Sequence, residues 1–375
     1  MQTVYVGMSG GVDSSVAALL LLEQGYRVVG VYMKNWSRDL PGMKCPWAED
    51  LADAKRVAVK LGIPFEVWDF EKEYHDKVVK YMLSEFKKGN TPNPDVMCNQ
   101  EVKFKLFFEK AMEAGADYIA TGHYARTSLD GSCRLFSSPI SQMLNGGPPP
   151  EPSPVHVDLL RVVDENKDQT YFLYRISEEA LEHTLFPIGG MKKPEVKKLA
   201  AEKGLHNAYK KESMGVCFVG EVGMKDFLKE YIDVEPGEIR EIESDKVLGY
   251  HEGAIFYTIG QRHGLYLSGV AGEANDGMPY YVVKKDIKNN IVYVSKNLNH
   301  EAIWTRTLKL KELFFRSGPR HSSQVLVRLR HRAALIPATF DGETLHFENE
   351  VKRPASGQSA VLYDGEICLG GGIIV

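Results

Sequence analysis

In the first third of the chain, short β-prone apolar runs alternate with longer segments whose apolar residues return every three or four positions. Thr3–Met8 is a continuous apolar run. Ser14–Gln24 (SSVAALLLLEQ) has helical composition and is closed by Gly25; Arg27–Met33 (RVVGVYM) is strand-like again. Ala48–Leu61 is charged with a periodic apolar face and ends at Gly62; Pro64–Phe70 predicts a third strand, and helical material continues to Lys88. Lys103–Glu113 predicts another helix and Asp117–Thr121 a fourth strand. Strands separated by helices of this length predict right-handed βαβ units, a parallel sheet and an α/β fold. Ligands on such sheets sit at the carboxyl ends of the strands.

The pattern then breaks. Pro139 to Pro154 includes NGGPPPEPSP, which fits neither regular helix nor inner strand and reads as an exposed loop. Helical periodicity returns at Ser177–His183 and Pro194–Lys203, followed by a short mixed segment punctuated at Pro236-Gly237. From Pro279 onward the chain reads as short strands (YYVVKKD, NIVYVS, VLVRLR, ATFDGETLHFE, SAVLYDGEICLGGGIIV), as in a small barrel or sandwich. There is no internal repeat.

A chain of 375 residues suits two or three domains, and 43% hydrophobic with 26% charged residues is ordinary for a globular protein. The net charge of -4 excludes a uniformly basic nucleic-acid-binding protein. Positive charge is instead local. Glu301–Phe340 carries eight cations (Arg306, Lys309, Lys311, Arg316, Arg320, Arg328, Arg330, Arg332) against Glu301 and Glu312. On a strand, Arg328, Arg330 and Arg332 share one face, which suits phosphate binding as well as an ordinary solvated sheet face. Five scattered cysteines (Cys45, Cys98, Cys133, Cys217, Cys368) form neither a disulfide framework nor zinc spacing, so reduced thiols are expected. No leader pattern and no apolar run of spanning length is present, and the cytoplasm is the expected address, with no membrane partner.

The strongest local signal is Ser9-Gly10-Gly11-Val12-Asp13-Ser14, between the first strand and the first helix. Adjacent glycines let the backbone turn tightly, and the free N–H groups of the helix start favour an anion such as pyrophosphate. Asp13 is a candidate magnesium ligand, since hard cations take carboxylate oxygens. A Walker loop needs a Gly-Lys-Ser/Thr ending, and a dinucleotide fingerprint needs G-x-G-x-x-G; neither is present. Alone, the segment also reads as a glycine turn capping a helix. SGGVDS resembles the signature of the PP-loop ATP pyrophosphatases, which split ATP between its α and β phosphates and adenylate an oxygen of their substrate. That resemblance implies ATP as cofactor, held by Gly7, Met8, Ser9, Gly10, Gly11, Val12, Asp13 and Ser14, with Met33 and Gly122 lining the adenosine site.

Two cysteines stand in distinctive surroundings. Thr91-Pro92-Asn93-Pro94-Asp95-Val96-Met97-Cys98 is a Pro-stiffened loop that places Asp95 three residues before Cys98, ahead of a helix beginning near Glu101. A helix N-terminus and nearby lysines favour a thiolate, and a neighbouring Asp is able to move a proton. Cys217 lies between glycines in Gly215–Gly220, after Lys210-Lys211. Each also reads as a small buried cysteine, and nothing in their spacing shows that they meet.

Taken in order, Asn93–Phe104 (N-P-D-V-M-C-N-Q-E-V-K-F), Thr121–Tyr124 (T-G-H-Y), Lys167–Leu173 (K-D-Q-T-Y-F-L), Gly215–Gly220 (G-V-C-F-V-G) and Thr258–Arg262 (T-I-G-Q-R) are similar to motifs of the bacterial and mitochondrial tRNA-specific 2-thiouridylases. The resemblance runs from Ser9 to the terminal β segment. It departs at a longer Pro-rich insertion and at Tyr280, where Trp is expected. It implies that Cys217 bears a persulfide, that Cys98 is its nucleophilic or disulfide-forming partner, and that Asp95 is the acid/base. It further implies that Asn93, Pro94 and Asp95 meet the target base, and that His123, Lys167, Asp168, Gln169, Arg330, His331 and Gln358 contact tRNA. The implied architecture is a PP-loop domain over 1–221, a small central domain over 222–278 and a C-terminal β-barrel over 279–375. The implied reaction uses ATP and magnesium to adenylate O2 of the wobble uridine in the Lys, Glu and Gln tRNAs. Sulfur from a persulfide-donor protein then replaces that oxygen, either with Cys98–Cys217 disulfide formation or through free hydrosulfide.

Overall fold

A computed structural model describes residues 1–39, 45–128, 157–211, 223–267, 278–316 and 323–375. Cys217 with its Gly215–Gly220 surround, Cys133, Arg320 and the Pro-rich stretch lie outside the described residues.

The first unit is the expected parallel sheet. Strands β1 (Thr3–Gly7), β2 (Arg27–Lys34), β3 (Phe65–Asp69) and β4 (Tyr118–Thr121) are joined by helices that include α1 (Val12–Glu23) and α2 (Trp47–Leu61). An antiparallel strand pair, β5 (Arg126–Thr127) and β6 (Leu159–Leu160), leaves this unit, and β7 (Thr184–Leu185) returns to it, giving the order β3-β2-β1-β4-β7. Both faces of the sheet are covered. Val4 and Val6 point into one apolar cluster with Val16, Leu21 and Val57 of α1 and α2. The alternating residue Tyr5 points into the other, with Trp68, Phe107 and Ile119. Each such side chain contributes about 1.5–3 kcal/mol when buried, and burial on two faces is why these strands read as unbroken apolar runs.

The central sheet pairs β8 (Gly237–Glu241), β9 (Val247–His251), β10 (Tyr281–Asp286) and β11 (Ile291–Ser295) in the order β10-β11-β8-β9. This corrects the expected boundary at 278. The β10–β11 hairpin hydrogen-bonds to β8 through Ile291–Val294 and belongs to the central unit. An amphipathic hairpin carries no local mark of the sheet it will join, and β8 and β9 were not foreseen at all.

Six strands close the terminal barrel: β12 (Trp304–Phe315), β13 (Ser323–Arg328), β14 (Ile336–Phe340), β15 (Thr344–Lys352), β16 (Ser359–Asp364) and β17 (Ile367–Ile374). The unforeseen β12 does the closing: it pairs with β15 through Trp304–Lys309 and with β17 through Leu310–Phe315. Closure leaves no free strand edge within the ring. The β5–β6 pair of the first unit adds to β17 at Leu159 and Leu160, so the two units share one sheet.

That junction corrects the reading of the arginines. β13 ends at Arg328, so Arg330 and Arg332 lie beyond the strand, and Arg332 has a φ of 63°. Arg328 is 4% exposed and donates to Asp168 at 2.7 Å, beneath the Tyr363 ring. Asp168, 1% exposed, also takes Arg161 at 3.2 Å. Both residues sit in a buried ion cluster between the first unit and the barrel, and neither is open to solvent. We therefore expect Arg328→Met to lower stability by about 3–5 kcal/mol, the scale for breaking a buried pair, read as a shifted urea midpoint. Arg330→Ala with Arg332→Ala, both exposed, is expected to leave the midpoint alone and to reduce the salt slope of tRNA binding. An unchanged slope makes these two arginines merely solvated.

Candidate active site at the carboxyl edge of the parallel sheet

The strand–loop–helix segment folds as a cradle at the end of β1. Met8 N–H donates to Val31 C=O at 2.7 Å, which holds the loop entrance against β2. Gly10 adopts φ +78°, and a Cβ there would lie 2.3 Å from the Asp50 carbonyl oxygen. Ser14 and Ser15 hydroxyls donate to Gly11 C=O at 3.1 and 2.9 Å, and Ser9 N–H donates to the Ser14 hydroxyl at 3.2 Å. Gly11 is the N-cap of α1 and makes no side-chain cap. The first-turn N–H groups of this 12-residue helix have no intrahelical acceptors, so they suit an anion. Gly122, just past β4, closes the cradle from the side: a Cβ there would stand 2.5 Å from Ser14 N. Met33 Cε would be 2.8 Å from a Cβ on Gly7, so the expected adenosine-side residue does pack on the loop.

Three residues that sequence reasoning missed complete this cradle. Lys193 donates to both Asp13 oxygens at 2.7 Å, and Tyr124 OH donates to one of them at 3.1 Å. Asn207 donates to Gly10 C=O and to the Ser15 hydroxyl, both at 2.9 Å. Lys193 brings to the loop the cation that a Walker lysine would have supplied, from 180 residues away. No local spacing signals it. As a magnesium ligand Asp13 fits in kind, being a 28%-exposed carboxylate beside an anion cradle. Among the described residues no cluster of three or more His, Cys, Asp or Glu side chains is arranged to hold a metal by itself.

The cysteine-bearing segment is a helix, Pro94–Cys98, continued by the π-helical stretch Asn99–Leu106, which kinks at Phe104. Asn93 is its N-cap and accepts from Asp95 N–H at 3.1 Å and Val96 N–H at 3.4 Å, with Pro94 opening the first turn. Cys98 is therefore the fifth residue of a helix and not the neighbour of a helix start near Glu101. The dipole acts within the first turn, so it falls on Asp95 and gives Cys98 no support. The Cys98 thiol is 3% exposed, in the same apolar cluster as Val96, Val102 and Phe104. Burial pushes the Asp95 carboxyl above the usual range, against a weaker downward pull from Lys103. It thus holds a proton more readily than a free aspartate.

The Thr121–Tyr124 turn joins the two constellations. Gly122 abuts α1, and the next residue, His123, packs on Phe104 with ring centres 5.8 Å apart and planes tilted by 44°. His123 Nδ1 meets Thr121 Oγ1 at 2.8 Å. Burial, with Lys103 adding to it, holds its pKa well below the usual histidine value. Lys103 acts on both Asp95 and His123, a role the sequence did not reveal.

The remaining expected RNA residues divide. Gln169 accepts from Tyr124 N–H at 2.8 Å and so holds the Thr121–Tyr124 turn. Gln358 donates to Thr91 C=O at 2.6 Å, next to the Asn93 loop. Both serve the protein's own backbone here. Lys167 is half-buried and Arg330 exposed. His331 packs on Phe172 at 4.5 Å, and burial, with Arg332 and Arg328 adding to it, lowers its pKa to about 4, so it is neutral at pH 7. Cys45 and Cys368 are buried and play no part in either constellation. Among the described residues no helix is long and apolar enough to cross a membrane.

Comparison with known proteins covers the whole chain. Residues 2–221 match the tRNA methyl transferase HUP domain family, 225–296 its PRC-barrel domain and 305–374 an aminomethyltransferase beta-barrel domain. The limit between the second and third matches falls between β11 and β12, where the central sheet ends and the barrel begins. Domain descriptions of this kind speak to fold and leave the reaction to the site. Full-length relatives are more specific. The tRNA-specific 2-thiouridylase MnmA of Listeria welshimeri is 44% identical over 99% of this chain and 94% of its own length. Its namesake in Idiomarina loihiensis is 44% identical over 99% and 95%, and that of Lactiplantibacillus plantarum 45% over 99% and 94%. Identity at this level along the entire length shows that the chain belongs to the family of tRNA-specific 2-thiouridylases.

Proposed function

We propose that this protein is a tRNA-uridine 2-sulfurtransferase of the cytoplasm, acting on the wobble uridine of the Lys, Glu and Gln tRNAs. The observation that supports the reading is the Thr121–Tyr124 turn: Gly122 abuts the SGGVDS cradle, and His123 packs on Phe104, which ends the cysteine-bearing motif and lies in one apolar cluster with Cys98. A phosphate cradle alone fits many adenylating enzymes. A cradle joined to a buried thiol and a proton-holding carboxyl fits one that activates an oxygen and then replaces it.

ATP supplies the adenylyl group that makes uracil O2 a leaving group, with AMP and pyrophosphate as products. In this reading residues Gly7–Ser14 bind the phosphates, Lys193 neutralises charge beside them, and Asp13 takes magnesium. Met33 and Gly122 flank the adenosine. The target base leaves its stack to reach the site, and Asn93, Pro94 and Asp95 receive it. Asp95, raised by burial, exchanges the proton at the base. Cys217 carries sulfur as a persulfide taken from a donor protein, and that sulfur attacks C2 as AMP departs. The Cys98 thiolate then displaces the thiolated base from Cys217, forming a Cys98–Cys217 disulfide. An external thiol restores the pair by reducing it. In the alternative route free hydrosulfide itself attacks C2 and displaces AMP, so that Cys98 is bypassed. His123, Lys167, Arg330 and His331 remain candidates for RNA contact.

ATP–pyrophosphate exchange tests the reading. It is expected to require tRNA and to fall by about 10²-fold or more in Asp13→Asn, the scale for losing an electrostatic group at the reacting centre, with tRNA affinity within about twofold of wild type. Exchange that proceeds without tRNA would return the protein to the small-molecule ligases that share the loop.

A further inference from the structure

Residues 89–91, which precede Pro92 and the Asn93 cap, are held by three different parts of the molecule. Gly89 C=O accepts from the Lys285 ammonium of β10 at 2.7 Å. Gly89 itself has φ +84°, and a Cβ on it would lie 2.5 Å from Ile287 Cγ1, so the central unit is seated directly on it. Asn90 donates to Glu85 of the preceding helix at 2.7 Å. Thr91 N–H donates to Ser356 C=O at 2.8 Å, and Thr91 C=O accepts from Gln358 at 2.6 Å, both in the barrel. These backbone anchors from the central unit and the barrel fall within four residues of Asn93.

The Lys285 contact is an expensive way to hold a loop. Burial pulls the Lys285 ammonium down to about 8, which means its charge is poorly solvated. A methionine of similar length would pack without that cost. What the ammonium adds is a directed bond that sets where one carbonyl lies. Past that carbonyl the chain has little freedom: Pro92 and Pro94 restrict the backbone, and Asn93 is fixed by its cap to Asp95 and Val96. A shift at Gly89 that also moves Asn90 and Thr91 against their own anchors is therefore passed on to Asp95 and Cys98.

We propose that Lys285, in the central domain, is a positioning residue for sulfur transfer, holding the 89–91 segment so that Asp95 and Cys98 stand correctly against the target base. This rests on the reading of Asp95 and Cys98 given above. It gives the central domain a part in the chemistry beyond connecting the other two.

The test uses the full-length enzyme with saturating ATP and tRNA, well below its unfolding temperature. Lys285→Met is expected to lower kcat for thiolation by about tenfold or more, with KM for ATP and Kd for tRNA within about twofold and the fold retained by circular dichroism. Lys285→Gln, which keeps a shorter donor, is expected to lose less. Should the methionine variant not yield folded protein, the glutamine variant is read alone, with the same split between kcat and KM. Unchanged kcat overturns the proposal. So does a raised KM for tRNA at unchanged kcat, which would make Lys285 an RNA contact. Cys98→Ala is measured beside them. If it thiolates at the wild-type rate, the reading of the site fails and the proposal falls with it; if it is inactive while Lys285→Met is normal, the proposal alone fails.

Discussion

Cys98→Ala is expected to abolish thiolation, by more than about 10³-fold, while AMP formation in the presence of tRNA continues. The scale is that of removing a nucleophile that acts as part of a unit. Alanine is the informative replacement. The thiol is 3% exposed among Val96, Val102 and Phe104, so serine would bury a hydroxyl at a cost of about 1–3 kcal/mol and confuse stability with chemistry. Alanine removes one sulfur atom and leaves a small cavity. Cys217→Ser is expected to show the same separation, with AMP formed and no thiolated product from a persulfide donor. The two cysteines differ in what they retain. Labelled sulfur, followed by mass analysis of non-reduced peptides, is expected on Cys217 when Cys98 is absent. Label on Cys98 in the Cys217 variant at the wild-type level would reverse the assigned roles. Thiolation that continues in both variants would remove cysteine chemistry from the account.

The second large effect is steric. Gly122→Ala places a Cβ 2.5 Å from Ser14 N, and both sides of that contact are backbone. The end of β4 or the first turn of α1 has to move, costing about 1–3 kcal/mol of stability as overpacking does. A displacement on the order of 1 Å in the cradle is enough to cost about 10²-fold in rate. ATP-dependent AMP formation is therefore expected to fall by about that factor. Binding of tRNA is expected to stay near normal, because the exposed Arg330 and the barrel are untouched. Normal AMP formation in this variant would mean that Gly122 does not border the ATP site. Gly10→Ala, strained at φ +78° and blocked by the Asp50 carbonyl at 2.3 Å, is expected to behave alike.

What the sequence made legible was local. The apolar runs and helical periods of the first third gave the parallel sheet, because strands buried on both faces announce themselves by continuous hydrophobicity. The glycine pair with its flanking serines marked the turn between the first strand and the first helix, whereas Asn93-Pro94-Asp95 read as a loop and not as the capped helix start it is. What escaped was joined through space. Lys193 meets Asp13 across 180 residues, and Arg328 meets Asp168 across 160. An alternating row of arginines therefore looked like an RNA-facing strand when its first member was a buried structural cation. The hairpin Tyr281–Ser295 has the same alternation whichever sheet it joins, so its membership of the central unit was invisible until β8 was placed beside it. Cys98 was read against a helix start at Glu101, because nothing in residues 99–106 foretells a π-helical continuation.

The central claim is that one site activates a uridine oxygen with ATP and replaces it with sulfur. It is tested most directly by incubating the protein with ATP, magnesium, a persulfide donor and unmodified tRNA, then digesting the tRNA to nucleosides for mass analysis while AMP is counted in the same sample. The account predicts 2-thiouridine at the wobble position in amounts equal to the AMP formed, with neither product in the absence of tRNA. AMP formed without tRNA, or tRNA consumed with ATP but carrying no sulfur at C2, would contradict it.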